Sequence, residues 1–247
     1  LPDLMDRGIL WLEGTRMDSW SKNELRVRVL YSVGAVGTQI FISTGESFIL
    51  VDAGDGVLRD LLSIGFKPEQ LDAILITHGH YDHVGGLHTL LGYFKMKKRN
   101  RSLPVFLPRG CLQASTLLKN FSNLYSGFMP YVVEAKELDD RDCFTAGSFR
   151  AWCNYVVHCT IEPDGKAVPM PAAGYRIDDG KTIVAVTGDC GDSESVRDLV
   201  KDADLALVEA NLKSYTSELE RKVHLTEALA EEIGSLAREH ILIHKRP

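Results

Sequence analysis

Between residues 77 and 83 the chain reads Thr77-His78-Gly79-His80-Tyr81-Asp82-His83, three imidazoles and a carboxylate at alternating or adjacent positions. Imidazole and carboxylate donors suit zinc and its divalent neighbours, and a strand that finishes in a loop can turn such side chains onto one centre. The apolar run over residues 71–76, directly before the cluster, supplies that strand. A polar surface loop with chance histidines is the alternative, and it gives no reason for four donors to crowd one turn.

Three further donors each close an apolar stretch: His158 after residues 151–157, Asp189 after 182–188, and His244 after 241–243. Taken singly, each is as readily a hydrogen-bonded residue at a strand end. Taken together with the first cluster they make a set sufficient for metal chemistry. Asp52 closes another apolar strand just before Gly54 and reads either as a turn aspartate or as a polar neighbour of the cluster.

The elements that must position these residues follow from periodicity. Residues 24–49 alternate polar and apolar side chains, as antiparallel strands do, and turn at Gly45-Glu46. A helix is predicted over 56–65, with Gly65 at its C-terminus, and a second amphipathic segment over 84–94, where Gly85 and Gly86 let the backbone pass close to the metal loop. Residues 104–108 form a short strand and 111–120 a helix. The second half repeats the scheme, with strands around 131–138, 147–157, 173–177, 182–186, 205–208 and 241–243, and helices over 193–201 and 226–238. Two sheets with helices outside them are the natural architecture. The last helix runs towards Ile241 without Gly, Pro or Asn to break it, so either it ends early or residues are absent there.

At 247 residues and 45% hydrophobic composition the chain can bury a large core, and no linker or low-complexity tract divides it, so one domain over 1–247 is expected. The net charge of -6 argues against extended nucleic-acid binding, which needs basic surface to release counterions. The basic stretch over 95–101 reads as a solvated helix end, or as a local grip on phosphate. Five cysteines without a CxxC spacing fit a reducing compartment, the cytoplasm. No apolar stretch reaches the roughly eighteen residues needed to cross a bilayer. Residues 1–7 contain two acids and do not read as a signal peptide. The apolar segment over 121–131 is expected to pack in the core, with an interface or a substrate lid as its alternatives.

The His-x-His-x-Asp-His pattern after an apolar strand, followed in order by His158, Asp189 and His244, resembles the metallo-β-lactamase superfamily over roughly residues 31–244. The resemblance implies a four-layer αββα sandwich, an α/β (α+β) fold, with two divalent metal ions at one edge between the sheets. By that resemblance His78, His80 and His158 hold the first metal, Asp82, His83 and His244 the second, and Asp189 bridges them. A bridging hydroxide is then the nucleophile, because such metals bring the pKa of bound water towards neutrality. Asp52 is implied to hydrogen bond beside the ligands and orient them without binding metal. Zinc is the expected metal, while manganese and iron accept the same donors. Relatives are often dimers, so a homodimer is a further implication.

Oxygen-reducing members carry Glu where His80 stands, so His80 implies hydrolysis. The segments Leu207-Val208-Glu209-Ala210-Asn211 and Val223-His224-Leu225-Thr226 resemble the ribonuclease Z branch and its relative, the phosphoribosyl cyclic phosphodiesterase. In that branch Glu209 would hold His224, and His224 would protonate the leaving oxygen, with Asp82 grouped beside them as catalytic. A positioned imidazolium of this kind contributes ~10² to 10⁴-fold. The local alternative makes His224 an ordinary residue before a helix that Thr226 caps. True ribonuclease Z inserts a long arm between the middle His and the bridging Asp, whereas residues 160–188 hold only a turn and two strands. A small substrate is therefore expected: a cyclic nucleotide or cyclic ribose phosphate. A thioester or lactone hydrolase is the alternative enzyme, and a non-catalytic metal-binding scaffold the alternative class.

Overall fold

The structure is a computed structural model that describes residues 18–246; the opening stretch over 1–7 lies outside the described residues. The first half builds β1 (Ser19–Lys22), β2 (Leu25–Val33), β3 (Gly37–Ser43), β4 (Phe48–Val51), α1 (Val57–Ser63), β5 (Ala73–Leu75), α2 (Tyr81–Val84), α3 (Leu87–Met96), β6 (Leu103–Pro108), α4 (Leu112–Leu124) and β7 (Val133–Leu138). The second half adds β8 (Cys143–Ala146), β9 (Phe149–Tyr155), β10 (Cys159–Ile161), β11 (Ala167–Pro169), β12 (Ala173–Asp178), β13 (Ile183–Val186), α5 (Glu194–Val200), β14 (Leu205–Glu209), α6 (Glu227–Gly234) and β15 (Glu239–Ile243). Strands β1 to β7 lie in sequence order in one sheet; the other runs β15-β14-β13-β12-β9-β8, and β10 and β11 form a separate hairpin.

Alternation along the strands divides the apolar side chains into layers. In β4, Ile49 and Val51 face the opposite sheet while Leu50 faces the helices; in β14, Leu205 and Leu207 face inward while Ala206 and Val208 turn out. Between the sheets Ile40, Leu75, Phe149, Tyr175 and Val186 share one core. Outside the first sheet, Leu61, Leu90, Phe94 and Phe121 cover it with α1, α3 and α4, and outside the second, Leu199 and Ile233 cover it with α5 and α6. The result is the αββα metallo-β-lactamase sandwich.

Strand direction decides where the site can form. β4, β5 and β6 are mutually parallel, as are β13, β14 and β15. β9 is antiparallel to β12, which is antiparallel to β13, so β9 runs with β13. Asp52 and the 78–83 cluster therefore follow carboxyl ends of strands that run alike in the first sheet, and His158, Asp189, Glu209 and His244 those of strands that run alike in the second, where open α/β sheets place their crevices.

Several local readings need correction. The last helix ends early, at Gly234, and residues 235–238 turn the chain into β15. The His240 ring packs so closely on Gly234 that a Cβ at that position would collide with it. The basic stretch over 95–101 is not uniformly solvated: Arg99 is buried and donates to the carbonyls of Glu69, Leu71, Arg101 and Ser102, tying α3 to the start of β5 and β6. The segment over 121–131 divides, with Phe121 and Tyr131 in the core and Leu124 and Phe128 74% and 79% exposed. Among the described residues no helix is long and apolar enough to cross a membrane.

Candidate metal centre

The short β5 ends at Leu75, and the chain after it is pinned by Asp52. One Asp52 oxygen accepts the Thr77 backbone N–H at 2.8 Å; the other accepts the Thr77 hydroxyl at 2.8 Å and lies 2.7 Å from His83 Nδ1. Asp52 is fully buried, so it is a polar partner inside the site rather than a surface turn residue. Its φ of 60° is a left-handed conformation that aspartate and asparagine tolerate better than most residues. Gly86 then packs against the carbonyls of Ala53 and Gly54, where a Cβ would overlap them.

Seven side chains converge at this edge in two groups. His78 Nε2 lies 3.0 Å from His80 Nδ1, and His158 Nε2 lies 3.4 Å from the same His80 nitrogen. His244 Nε2 lies 3.2 Å from Asp82 Oδ2 and 3.4 Å from His83 Nε2. Asp189 stands between the groups, with Oδ2 3.8 Å from His78 Nε2 and Oδ1 3.3 Å from both His83 Nε2 and His244 Nδ1. One oxygen turns to each group, which is the disposition a bridging carboxylate requires.

The outer partners orient the rings. His83 directs Nδ1 at Asp52, and His158 directs Nδ1 at the Val223 carbonyl at 2.8 Å, so both turn Nε2 into the pocket. Asp82 accepts the Ala35 N–H at 2.9 Å, and His244 donates its backbone N–H to the Ser32 hydroxyl. These contacts bring the β2–β3 turn against the second group. Sequence reasoning missed Thr77, Ala35 and Ser32 in these roles; Thr77 lay inside the 77–83 motif, and the other two act through backbone or remote contacts.

Electrostatics favour a cation. Burial holds His78 well below the ordinary imidazole value and takes His158 down to about 4, which leaves neutral rings with free lone pairs. Burial also lowers His83, but the charges of Asp189 and Asp52 outweigh it and raise that ring well above its ordinary value. Asp189 is buried, yet its Oδ1 has no hydrogen-bond partner. An orphaned carboxylate oxygen among inward-facing nitrogens fits divalent metals better than any arrangement of protein hydrogen bonds. Donor atoms of His78, His80, His158 and Asp189 lie within 4.8 Å of one another, as do those of Asp82, His83 and His244 and those of Asp189, His224 and His244.

Above the two groups stands His224. Its Nδ1 lies 3.0 Å from Glu209 Oε1, and its ring centre is 5.6 Å from those of both His158 and His244. Glu209 is fully buried at the end of β14 and also accepts the backbone N–H groups of Cys190, Asn211 and Leu225. Burial disfavours the imidazolium of His224, but Glu209 and then Asp189 outweigh it and raise the ring above its ordinary value. Thr226 does cap α6, accepting the Leu229 N–H.

Residues 48–244 match the family model described as the beta-lactamase superfamily domain. The chain is similar to ribonuclease Z of Bradyrhizobium sp. strain ORS 278, 26% identical over 250 residues that cover 82% of each protein. It is also similar to the anti-Pycsar protein Apyc1 of Bacillus phage 010DV004, 34% identical over 116 residues, 46% of this chain and 43% of that protein. The crystal structure of human tRNase Z, short form, shares the fold with a TM-score of 0.73 at 19% identity, covering 89% of this chain and 92% of that one.

Proposed function

The chain belongs to the beta-lactamase superfamily, and from that premise we propose that it is a metal-dependent phosphodiesterase acting on a small or cyclic phosphodiester, with His224 as its general acid. The observation that carries this reading is the Glu209–His224 pair at 3.0 Å, set over two groups of metal-type donors. Displacement at phosphorus expels an alkoxide, a poor leaving group, and an imidazolium beside it lowers that barrier. Thioester cleavage expels a thiolate, a better leaving group, and has less need of such an acid.

His78, His80, His158 and Asp189 would hold one divalent ion, and Asp82, His83 and His244, with Asp189, a second; zinc is the first expectation. When bound, the ions supply Lewis acidity and a water acidified enough to attack. The chain's own residues do the rest. Asp52 and the Val223 carbonyl hold His83 and His158 in one ring orientation. Glu209 keeps His224 protonated and aimed, and the buried position of Glu209 keeps its charge from being screened by solvent. Asp82 lies 3.2 Å from His244 Nε2 and bounds the pocket on the side of the β2–β3 turn.

Similarity to ribonuclease Z supports phosphodiester chemistry. Two observations support a small substrate over a folded RNA: between His158 and Asp189 only the short β10–β11 hairpin stands out from the sheets, and the net charge is -6. The test is to count metals per chain and compare a 2′,3′-cyclic nucleotide, bis-p-nitrophenyl phosphate, a thioester and a lactone. About two metals are expected, with Asp189→Ala inactive. His224→Ala should lose ~10² to 10⁴-fold on the cyclic nucleotide and less on the nitrophenyl ester, whose leaving group needs little protonation. Turnover of thioester or lactone alone, indifferent to His224, would reject the reading.

A further inference from the structure

Asp82 and His244 come to the second group of donors from segments far apart in the chain, and one short turn touches both. Between β2 and β3, Ala35 donates its N–H to Asp82 Oδ2 at 2.9 Å, and its carbonyl accepts the Tyr81 hydroxyl at 2.9 Å. Two adjacent side chains of the 77–83 motif thus grip both polar groups of one residue. On the other side of the turn, Gly34 donates to the Lys245 carbonyl at 2.9 Å and the Ser32 hydroxyl accepts the His244 N–H at 2.9 Å. The turn is therefore a spacer between Asp82 and His244, whose Oδ2 and Nε2 stand 3.2 Å apart.

Ala35 holds this place with a φ of 62°, in the left-handed region that a side chain disfavours. Its methyl group is exposed, so the conformation is not imposed by packing of the side chain. Tyr81 is 66% exposed and adds little to the core, yet its hydroxyl reaches the Ala35 carbonyl. Residues held in such conformations by their surroundings cluster at functional sites. The first group of donors leans elsewhere: His78 on the Thr77 hydroxyl at 3.1 Å and His158 on the Val223 carbonyl at 2.8 Å. Among the described residues it makes no hydrogen bond with the β2–β3 turn.

We infer that Tyr81 and Ala35 are positioning residues for one metal and not the other: the turn they hold sets Asp82 against His244, and retention of an ion by Asp82, His83 and His244 depends on it. The inference rests on the metal reading of the centre and is independent of the substrate. It makes the two sites unequal, with the second released first when the turn loosens.

The test titrates zinc into the full chain against a competing chelator, so that two affinities are resolved, and Asp82→Asn identifies the second site by the affinity it lowers. Tyr81→Phe removes only the hydroxyl and should weaken that same site ~3- to 10-fold, the net worth of one hydrogen bond. Ala35→Val puts a β-branched residue at positive φ and should weaken it ~10-fold or more. Ala35→Gly adopts the conformation freely, should bind as wild type does, and should recover part of the loss when added to Tyr81→Phe. In each variant the other site is the internal control, since a damaged fold lowers both. Amide exchange at residue 35 in metal-free protein, followed by NMR, reads the turn directly and should quicken in Tyr81→Phe and Ala35→Val. Unchanged affinity at the second site, or equal weakening of the two, overturns the inference. If the wild-type chain binds fewer than two zinc ions, the metal reading fails, and the exchange comparison alone keeps or discards the turn as the spacer of Asp82.

Discussion

One oxygen of Asp52 accepts the Thr77 hydroxyl and lies 2.7 Å from His83 Nδ1, so a single carboxylate fixes both the end of β5 and the ring that faces Asp189. Asp52→Asn keeps a residue able to adopt the positive φ but removes the charge behind His83. Zinc affinity, measured by chelator competition, should fall ~10- to 100-fold while circular dichroism stays native. Wild-type affinity in that variant would remove Asp52 from the metal-orienting role.

The raised His83 predicts that metal uptake is also a proton exchange. Burial lowers this ring, but Asp189 and Asp52 raise it further, so near neutral pH a proton occupies the place a metal needs. Metal binding should release that proton, and affinity should strengthen as pH rises. Zinc titrations in buffers of different ionisation enthalpy give the number directly, and a count of zero would contradict the assignment.

Thiol chemistry should single out one position. Cys143 is exposed, while Cys111, Cys153, Cys159 and Cys190 are buried, with burial pushing Cys153 up to about 12 and Cys190 well above the ordinary thiol range. A disulfide reagent should label one equivalent quickly in the native protein and the remaining four only on unfolding. Cys143→Ser should abolish the fast phase; a fast second equivalent would mean that a buried cysteine opens to solvent.

Asp204 joins the two sheets away from the centre. Its side chain is 13% exposed and accepts Lys22 Nζ at 2.7 Å and the Ile183 N–H at 2.9 Å. Burial raises its carboxyl, yet Lys22 and Ile183 outweigh this and hold it below the ordinary value. A lowered folded-state pKa stabilises above the unfolded value and is lost as pH falls through the folded one. Asp204→Asn should therefore cost ~1–2 kcal/mol at neutral pH, and the difference from wild type should shrink below about pH 4. Denaturant melts at pH 7 and pH 3 check both parts; an equal cost at the two would reject the ionic explanation.

How much of this was legible in the sequence depended on whether the signal was local. The strands around Ile49–Val51 and Leu205–Val208 announce themselves because they are buried on both faces and read as continuous apolar runs. The convergence of His158, Asp189 and His244 with the 78–83 loop was legible because each follows such a run, and parallel strands put their carboxyl ends together. Arg99 looked like one more solvated charge, because its acceptors are carbonyls on segments remote in sequence. Leu124 looked like core because composition does not tell which face of a helix has a neighbour, and Phe128 because it does not tell that the chain has already left α4. Ala35 carried no local mark, since its N–H meets Asp82 only when the β2–β3 turn arrives beside the 78–83 loop.

The pocket is assembled from segments far apart in the order of the chain. Its first four donor side chains leave the ribosome within one short loop, but His244 emerges last and reaches Asp82 only when β15 docks and Lys245 bridges to Val33. A break in the chain before β15 would therefore remove a donor that no other segment supplies to Asp82.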